Sequence, residues 1–301
     1  MSGKEHIGFI GVGLMGHGMA KNMLEAGHAL TILGHRNRAP VDDLVSRGAS
    51  EAKSPAEMAS MVDILFLCVT SSVQVEDLMR REDGILAGAR AGLIVIDSST
   101  SDPNSTLALV GEAKAKGVTM IDAPLGNTPK EAELGKLNAF VGADEATFAR
   151  VRPIIATWAE NITHVGAVGT GHKAKLINNF VALAYNAIYA EAFTACRKSG
   201  VDDKKFHEII SAGGLNSGLF QRMCNWIIGG DPEAHLFTLK NGYKDIKYYT
   251  QLADAAEMAA PVGNATKQCY ALAVANGHGE RHLPMLTDVI NEVNGIAGGK
   301  G

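Results

Sequence analysis

A lysine and an amide four residues apart, Lys175 and Asn179, fall on one stripe of an otherwise apolar helical stretch. At that spacing their side chains lie one above the other. A lysine so placed can give a proton to an oxygen or take one from it. The stripe continues through Ala182 and Asn186, so the polar line is longer than chemistry alone needs. A purely structural reading also fits the helix taken by itself: Lys175 snorkels to the rim and Asn179 caps a neighbouring loop.

A second constellation opens the chain. His6-Ile7-Gly8-Phe9-Ile10 reads as a short buried strand and runs directly into Gly11-Val12-Gly13-Leu14-Met15-Gly16. An amphipathic stretch from Met15 to Glu25 ends at Gly27, and Ala29 to Leu33 supplies a second strand. A G-x-G-x-x-G that closes a strand, opens a helix and completes a βαβ unit points to a dinucleotide. The first glycine permits the tight turn, the second lets the backbone approach the pyrophosphate, and the third lets helix and strand pack closely. The helix N-terminus then faces the phosphate charge. A glycine-rich turn without a ligand is the alternative.

At the end of the second strand stands Gly34-His35-Arg36-Asn37-Arg38, with no carboxylate before Asp42. An acidic residue there would accept from the hydroxyls of an unphosphorylated ribose, whereas cations, Arg36 first among them, suit a 2′-phosphate. The expectation is NADP(H) over NAD(H); a merely solvated basic turn is the competing view.

These groups need a scaffold, and the hydrophobic pattern describes one. Apolar, β-branched runs at Asp63–Val69, Gly92–Asp97, Val118–Asp122 and Asn138–Gly142 alternate with helical stretches such as Asn104–Lys116 and Glu145–Trp158. That alternation predicts an α/β protein with a Rossmann-type, doubly wound parallel sheet. Ligands lie off the carboxyl ends of such strands. Attention therefore falls on Val69-Thr70-Ser71-Ser72, Ser98-Ser99-Thr100 and Ala123-Pro124-Leu125-Gly126-Asn127-Thr128. Beyond about Ala167 no further strand is expected. A long helix runs from Gly171 to Arg197-Lys198, with Gly200 as its stop signal. The division predicted is a dinucleotide-binding domain over 1–166 and an all-α domain over 167–301, used for substrate and for oligomerisation.

Composition narrows the classes. The net charge of −4, without a basic block, argues against nucleic acid as a principal partner. No apolar run approaches the length of a membrane span, and no leader is read at Met1-Ser2-Gly3-Lys4-Glu5. Four scattered cysteines lack a C-x-x-C pair and read as free thiols in a reducing, cytoplasmic setting. The ten histidines show no metal-ligand spacing. Ala297–Gly301 reads as a loose tail.

The chain as a whole resembles the β-hydroxyacid dehydrogenases, the family of 3-hydroxyisobutyrate dehydrogenase and of tartronate and succinic semialdehyde reductases. The resemblance rests on the Gly11–Gly16 fingerprint, Asp97-Ser98-Ser99-Thr100, Asp122-Ala123-Pro124, Gly169-x-Gly171-x-x-x-Lys175-x-x-x-Asn179, and Lys244-Asp245 after Phe237. It implies that Lys175 is the proton donor and acceptor and that Asn179 helps place it and the substrate, with Asn178 among the substrate contacts. It further implies Thr100 near the nicotinamide ribose, Lys244 closing over the cofactor, and a homodimer or homotetramer. The substrate would be a small anionic aldehyde or the corresponding hydroxy acid.

The chain departs from the family at one loop. Where the family has Ser-Gly-Gly to bind a carboxylate, this sequence has Gly126-Asn127-Thr128. A Gly-x-Thr loop is similar to that of sulfolactaldehyde reductases, with Asn127 in the place of their arginine. Asn127 and Thr128 offer hydrogen-bond donors to an anionic oxygen, and Asn216 or Ser217 in a later loop could add another. Alternatives kept open are a sulfonate-specific reductase and a non-catalytic NADP(H)-binding scaffold. The enlarged helical domain of 6-phosphogluconate dehydrogenase does not fit in this length.

Overall fold

The computed structural model describes residues 5–296; the tail at Ala297–Gly301 and the first four residues lie outside them. Two compact units divide the chain, the first running through Lys175 and the second starting at Leu176.

The first unit is built on nine strands: β1 (His6–Ile10), β2 (Ala29–Leu33), β3 (Ser50–Ala52), β4 (Ile64–Leu67), β5 (Ile94–Asp97), β6 (Thr119–Asp122), β7 (Leu125–Gly126), β8 (Leu137–Gly142) and β9 (Ala159–Gly166). Their order is β3-β2-β1-β4-β5-β6-β8-β7, with β9 paired to β8. The six strands from β3 to β6 are parallel. The sheet then turns antiparallel at β6–β8 and β7–β8, and parallel again at β8–β9. Pattern reading predicted neither the reversal nor the strands β3, β7 and β9. Two of these are only two or three residues long, and β9 alternates exposed and half-buried positions over most of its length, so none carries the apolar run that marks a central strand.

Side chains of the central strands alternate between two buried layers, which is why these strands read as nearly continuous apolar runs. Ile7, Phe9, Ile64, Phe66, Ile94, Ile96 and Ile121 pack on one face, beneath Met19 and Met23 of the fingerprint helix (Gly16–Glu25). Ile10, Leu65, Leu67, Val95 and Met120 pack on the other, beneath Met58, Val75 and Leu109. His17 fixes the fingerprint helix further, with its ring nitrogens 2.7 Å from Glu133 and 3.0 Å from Asp43.

Within the second unit the described residues form helices and no strand, as the fading of β-branched runs predicts. The long helix, Thr170–Ser199, begins in the first unit and continues through the second. Its Leu176, Leu183, Ala187 and Ala190 pack with residues such as Ile246, Tyr270 and Leu286. Tyr189 and Phe193 join a second cluster with Phe220 and Met223. Asn186, the far end of the polar stripe, is buried in this core and donates to Tyr270 Oη and to the Leu283 carbonyl, both at 3.0 Å. It is a satisfied core amide. No helix among the described residues is long and apolar enough to cross a membrane.

His235 records the character of this unit. Burial, with Arg222 and His282 nearby, pushes its imidazole down from 6.5 to about 4. The folded state therefore holds His235 neutral while the unfolded chain protonates it, so stability is intact above pH 6.5 and is lost as the pH falls toward 4. The total loss is on the order of 3 kcal/mol at one pKa unit per 1.4 kcal/mol. Chemical denaturation at pH 7 and pH 4.5 should show this loss in the native chain and a visibly smaller one in His235→Gln.

Candidate active site

The carboxyl ends of β1, β2, β4, β5 and β6 share one edge of the sheet, and each is followed by residues able to meet a ligand. After β1 the three fingerprint glycines play three different parts. Gly11 has φ +102°, and a Cβ there would come within 2.2 Å of the Cys68 carbonyl. Gly13 faces open space, with nothing within 4 Å of an added Cβ. Gly16 lies so close beneath Gly11 that a Cβ would meet its carbonyl at 2.1 Å. A tight turn, an unobstructed backbone and a close helix contact are the features a pyrophosphate requires, so these residues fit a dinucleotide. Val12 is buried, Leu14 is 70% exposed, and Met15 carries no capping side chain at the helix start.

After β4, Val69 N–H donates to Ser99 Oγ at 3.0 Å, and Thr70 donates through its N–H and hydroxyl to Gln74. This ties the loop after β4 to the loop after β5, which leads to Thr100. Asp97, the last residue of β5, accepts from Ser99 N–H at 2.8 Å and Ser101 Oγ at 2.7 Å.

Asp122 ends β6 beside Asp97 in register. Its buried carboxylate accepts the N–H of Gly169 at 2.5 Å and that of His172 at 2.7 Å, which caps the start of the long helix. Burial raises the Asp122 pKa, and His172 and the two N–H groups pull it back. His172 is fully buried, 2.8 Å from Thr106 Oγ1, with its other ring nitrogen 3.7 Å from Asp97. The sequence motifs contain Asp97 and Asp122, but their meeting over His172 is not visible there. Lys175 stands one turn after His172, half-buried, and Lys173 is exposed.

The loop Gly126-Asn127-Thr128, read from the sequence as a substrate contact, has a different character from the one its residue types imply. Asn127 adopts φ +80°, and its amide donates to the Lys136 carbonyl at 3.0 Å and accepts from Asn138 at 3.3 Å. The Thr128 hydroxyl bonds Glu131, whose carboxylate also takes the Thr128 N–H at 3.1 Å. Both side chains thus have hydrogen-bond partners of their own, and Asn127 stays exposed. Gly126 has no such constraint. Its φ is ordinary for any residue, and a Cβ would make ordinary contacts at 3.5 Å or more with Asn138 and Phe140. Asn216 and Ser217 belong to a helix-connecting turn, since Ser217 caps Gly218–Ile227 and Asn216 donates to the Ser211 carbonyl.

In the second unit Asn179 donates to Asp245 Oδ2 at 2.6 Å. Lys244 Nζ lies 3.1 Å from the other oxygen of the same carboxylate and 5.4 Å from the Tyr248 ring centre. Asp245 is 1% exposed, so one buried carboxylate orients both an amide and an ammonium. Its role was the missing element in pattern reading, although Lys244-Asp245 stood in a motif. Asn178 is exposed and donates to Asn179 at 3.3 Å.

Residues 6–166 match the model of the NAD binding domain of 6-phosphogluconate dehydrogenase, and residues 169–289 match the NAD-binding model of NADP-dependent 3-hydroxyisobutyrate dehydrogenase. The chain is 30% identical to 2-(hydroxymethyl)glutarate dehydrogenase of Eubacterium barkeri, over 97% of this chain and 96% of that one. It is also 30% identical to 3-sulfolactaldehyde reductase of Escherichia coli K12, over 96% and 97%. Among solved structures, 3-hydroxyisobutyrate dehydrogenase of Mycobacterium tuberculosis with L-serine superposes with a TM-score of 0.83 at 25% identity, covering 95% of this chain and 99% of that one. The chain belongs to the β-hydroxyacid dehydrogenase family. It is an NAD(P)-dependent dehydrogenase acting on CH–OH groups.

The helix cap carries a direct test. Asp122→Asn keeps one acceptor oxygen and loses the other, which leaves one buried N–H unmet at a cost of about 1–3 kcal/mol. Asp122→Ala leaves both unmet and should lower the thermal midpoint further than Asp122→Asn. Equal midpoints for the wild type and both variants would show that the cap carries no weight.

Proposed function

We propose that this protein is an NADP(H)-dependent oxidoreductase that interconverts a small anionic aldehyde and its hydroxy acid, with Lys175 as general acid and base. The observation that carries the reading is the unbroken helix Thr170–Ser199. It sets Lys175 four residues from Asn179, whose amide Asp245 holds at 2.6 Å. Bound nicotinamide supplies a hydride in reduction and takes one in oxidation. Lys175 as an ammonium gives a proton to the carbonyl oxygen in reduction, and as an amine takes it from the hydroxyl in oxidation. One hydride and one proton thus convert aldehyde to alcohol. Asn179, fixed by Asp245 through its amide N–H and accepting from Asn178 at its carbonyl oxygen, helps place Lys175 and the substrate.

The NADP(H) preference rests on the basic stretch His35-Arg36-Asn37-Arg38 after β2, chiefly on Arg36, which is exposed at the carboxyl edge. A sulfonate-ended aldehyde is the second reading. Gly126 favours it, because this loop lacks the hydroxyl that serves a carboxylate although the backbone would accept a side chain there. Homodimer or homotetramer is the assembly we assign. On the long helix Ile177, Val181, Tyr185 and Ile188 form a stripe, 46–56% exposed, that a second copy would cover. Four free cysteines accord with a reducing compartment such as the cytoplasm.

The test is NADPH oxidation against matched aldehydes ending in carboxylate or sulfonate, including succinic, tartronate and methylmalonate semialdehydes and sulfolactaldehyde. One member should support turnover. On it Lys175→Ala should lose roughly two to four orders of magnitude in kcat, with NADPH binding kept and Lys173→Ala near wild type. Equal losses in the two lysine variants would refute the role of Lys175.

A further inference from the structure

The edge of the sheet holds a carboxylate that the sequence order conceals. Glu51 lies on β3, paired with Ile32 of β2, and Ala52 pairs with Leu33. From there Glu51 meets Arg38 in a two-pronged pair, Nη1 to Oε1 at 2.7 Å and Nη2 to Oε2 at 2.9 Å. Asp42 takes a further bond from Nη2 at 3.0 Å. The fork crosses directly over Gly34: a Cβ there would lie 2.0 Å from Glu51 Oε1 and 2.6 Å from Arg38 Nη1. Glycine at the end of β2 is what lets the pair close.

The pair walls a cleft of 480 Å³ at the carboxyl ends of β2 and β3, together with His35 and Lys53 and backed by Leu33 and Ala52. In a doubly wound sheet this is the ribose end of a dinucleotide, where a carboxylate accepts from 2′- and 3′-hydroxyls and an arginine meets a 2′-phosphate. This chain has both groups, and each is spent on the other. Arg38 holds the Glu51 carboxyl below its usual range, so Glu51 is anionic at neutral pH. A phosphorylated ribose then meets a guanidinium already neutralised, and a fixed negative charge beside it.

We propose that Glu51 is a specificity-determining residue: it occupies Arg38 in a fork that a 2′-phosphate must open, and so limits the preference for NADP(H) over NAD(H). Arg36, outside the fork, provides the remaining attraction. The proposal rests on the dinucleotide reading above and sets the ratio of the two cofactors, whichever the native chain favours. Because the pair is partly exposed, its hold is weak, and the expected effect is several-fold.

The experiment is a titration of the full chain with NADPH and with NADH, read by nicotinamide fluorescence. The variants are Glu51→Gln, Glu51→Ser, and each of these combined with Arg38→Met. Glu51→Gln should tighten NADPH about 2- to 5-fold, the range that one weak pair can supply. NADH should stay within about two-fold, and the gain should vanish when Arg38 is also replaced. Glu51→Ser should behave alike, which guards against a local fault in one variant. An unchanged NADPH-to-NADH ratio in both variants overturns the proposal. A selective loss of NADH overturns it too, and would make Glu51 an acceptor of ribose hydroxyls. A native chain that binds NADH more tightly refutes the NADP(H) preference, yet leaves this inference standing if the ratio still shifts.

Discussion

The buried carboxylate of Asp122 is the constraint on which the rest of the site depends. It ends β6, the last of the six-strand parallel run, and accepts the N–H groups of Gly169 and His172 where the long helix starts. Its surroundings are shaped to admit it. A Cβ on Gly142 would lie 2.4 Å from one carboxylate oxygen, and one on Gly171 would lie 2.8 Å from the other. The second glycine of Gly169-x-Gly171 is therefore a matter of space, whereas Gly169, at φ +90°, is a matter of backbone conformation. Lys175 follows His172 by one turn, so any shift in the cap would move the lysine with it.

Among the described residues, each unit taken by itself holds a buried polar centre. In the first, Asp97, Asp122 and His172 are buried together at the ends of neighbouring strands, where hydroxyls and backbone N–H groups satisfy the carboxylates. In the second, Asp245 holds Asn179 and Lys244 at once. Buried carboxylates of this kind cost desolvation, and that cost is offset where several donors converge on fixed oxygens. Their value is orientation: an amide held at 2.6 Å has lost the freedom to turn away.

The loop Gly126-Asn127-Thr128 shows how partners can change what residue types suggest. Asn127 and Thr128 carry the donors an anion would want, yet the left-handed backbone at Asn127 aims its amide at Lys136 and Asn138, and Thr128 serves Glu131 in the first turn of a short helix. In the basic turn after β2 the opposite happened, since a stretch that lacks a carboxylate in sequence acquires Glu51 from β3.

What the sequence determined by itself is whatever is encoded within a few residues. Continuous apolar, β-branched runs between helical stretches specify a doubly wound sheet, and the Gly11–Gly16 turn between a strand and a helix specifies a phosphate cradle. The four-residue spacing of Lys175 and Asn179 specifies a shared helix face, because helix geometry is local. Tertiary structure alone decided which distant groups meet. Strand pairing brought Glu51 to Arg38, register set Asp97 beside Asp122, and helix packing brought Asp245 to Asn179, 66 residues away. It also reassigned Asn186 from the polar stripe to the core. These partners are chosen by register and packing, which depend on the whole chain closing around its core, and no pattern within one segment records them.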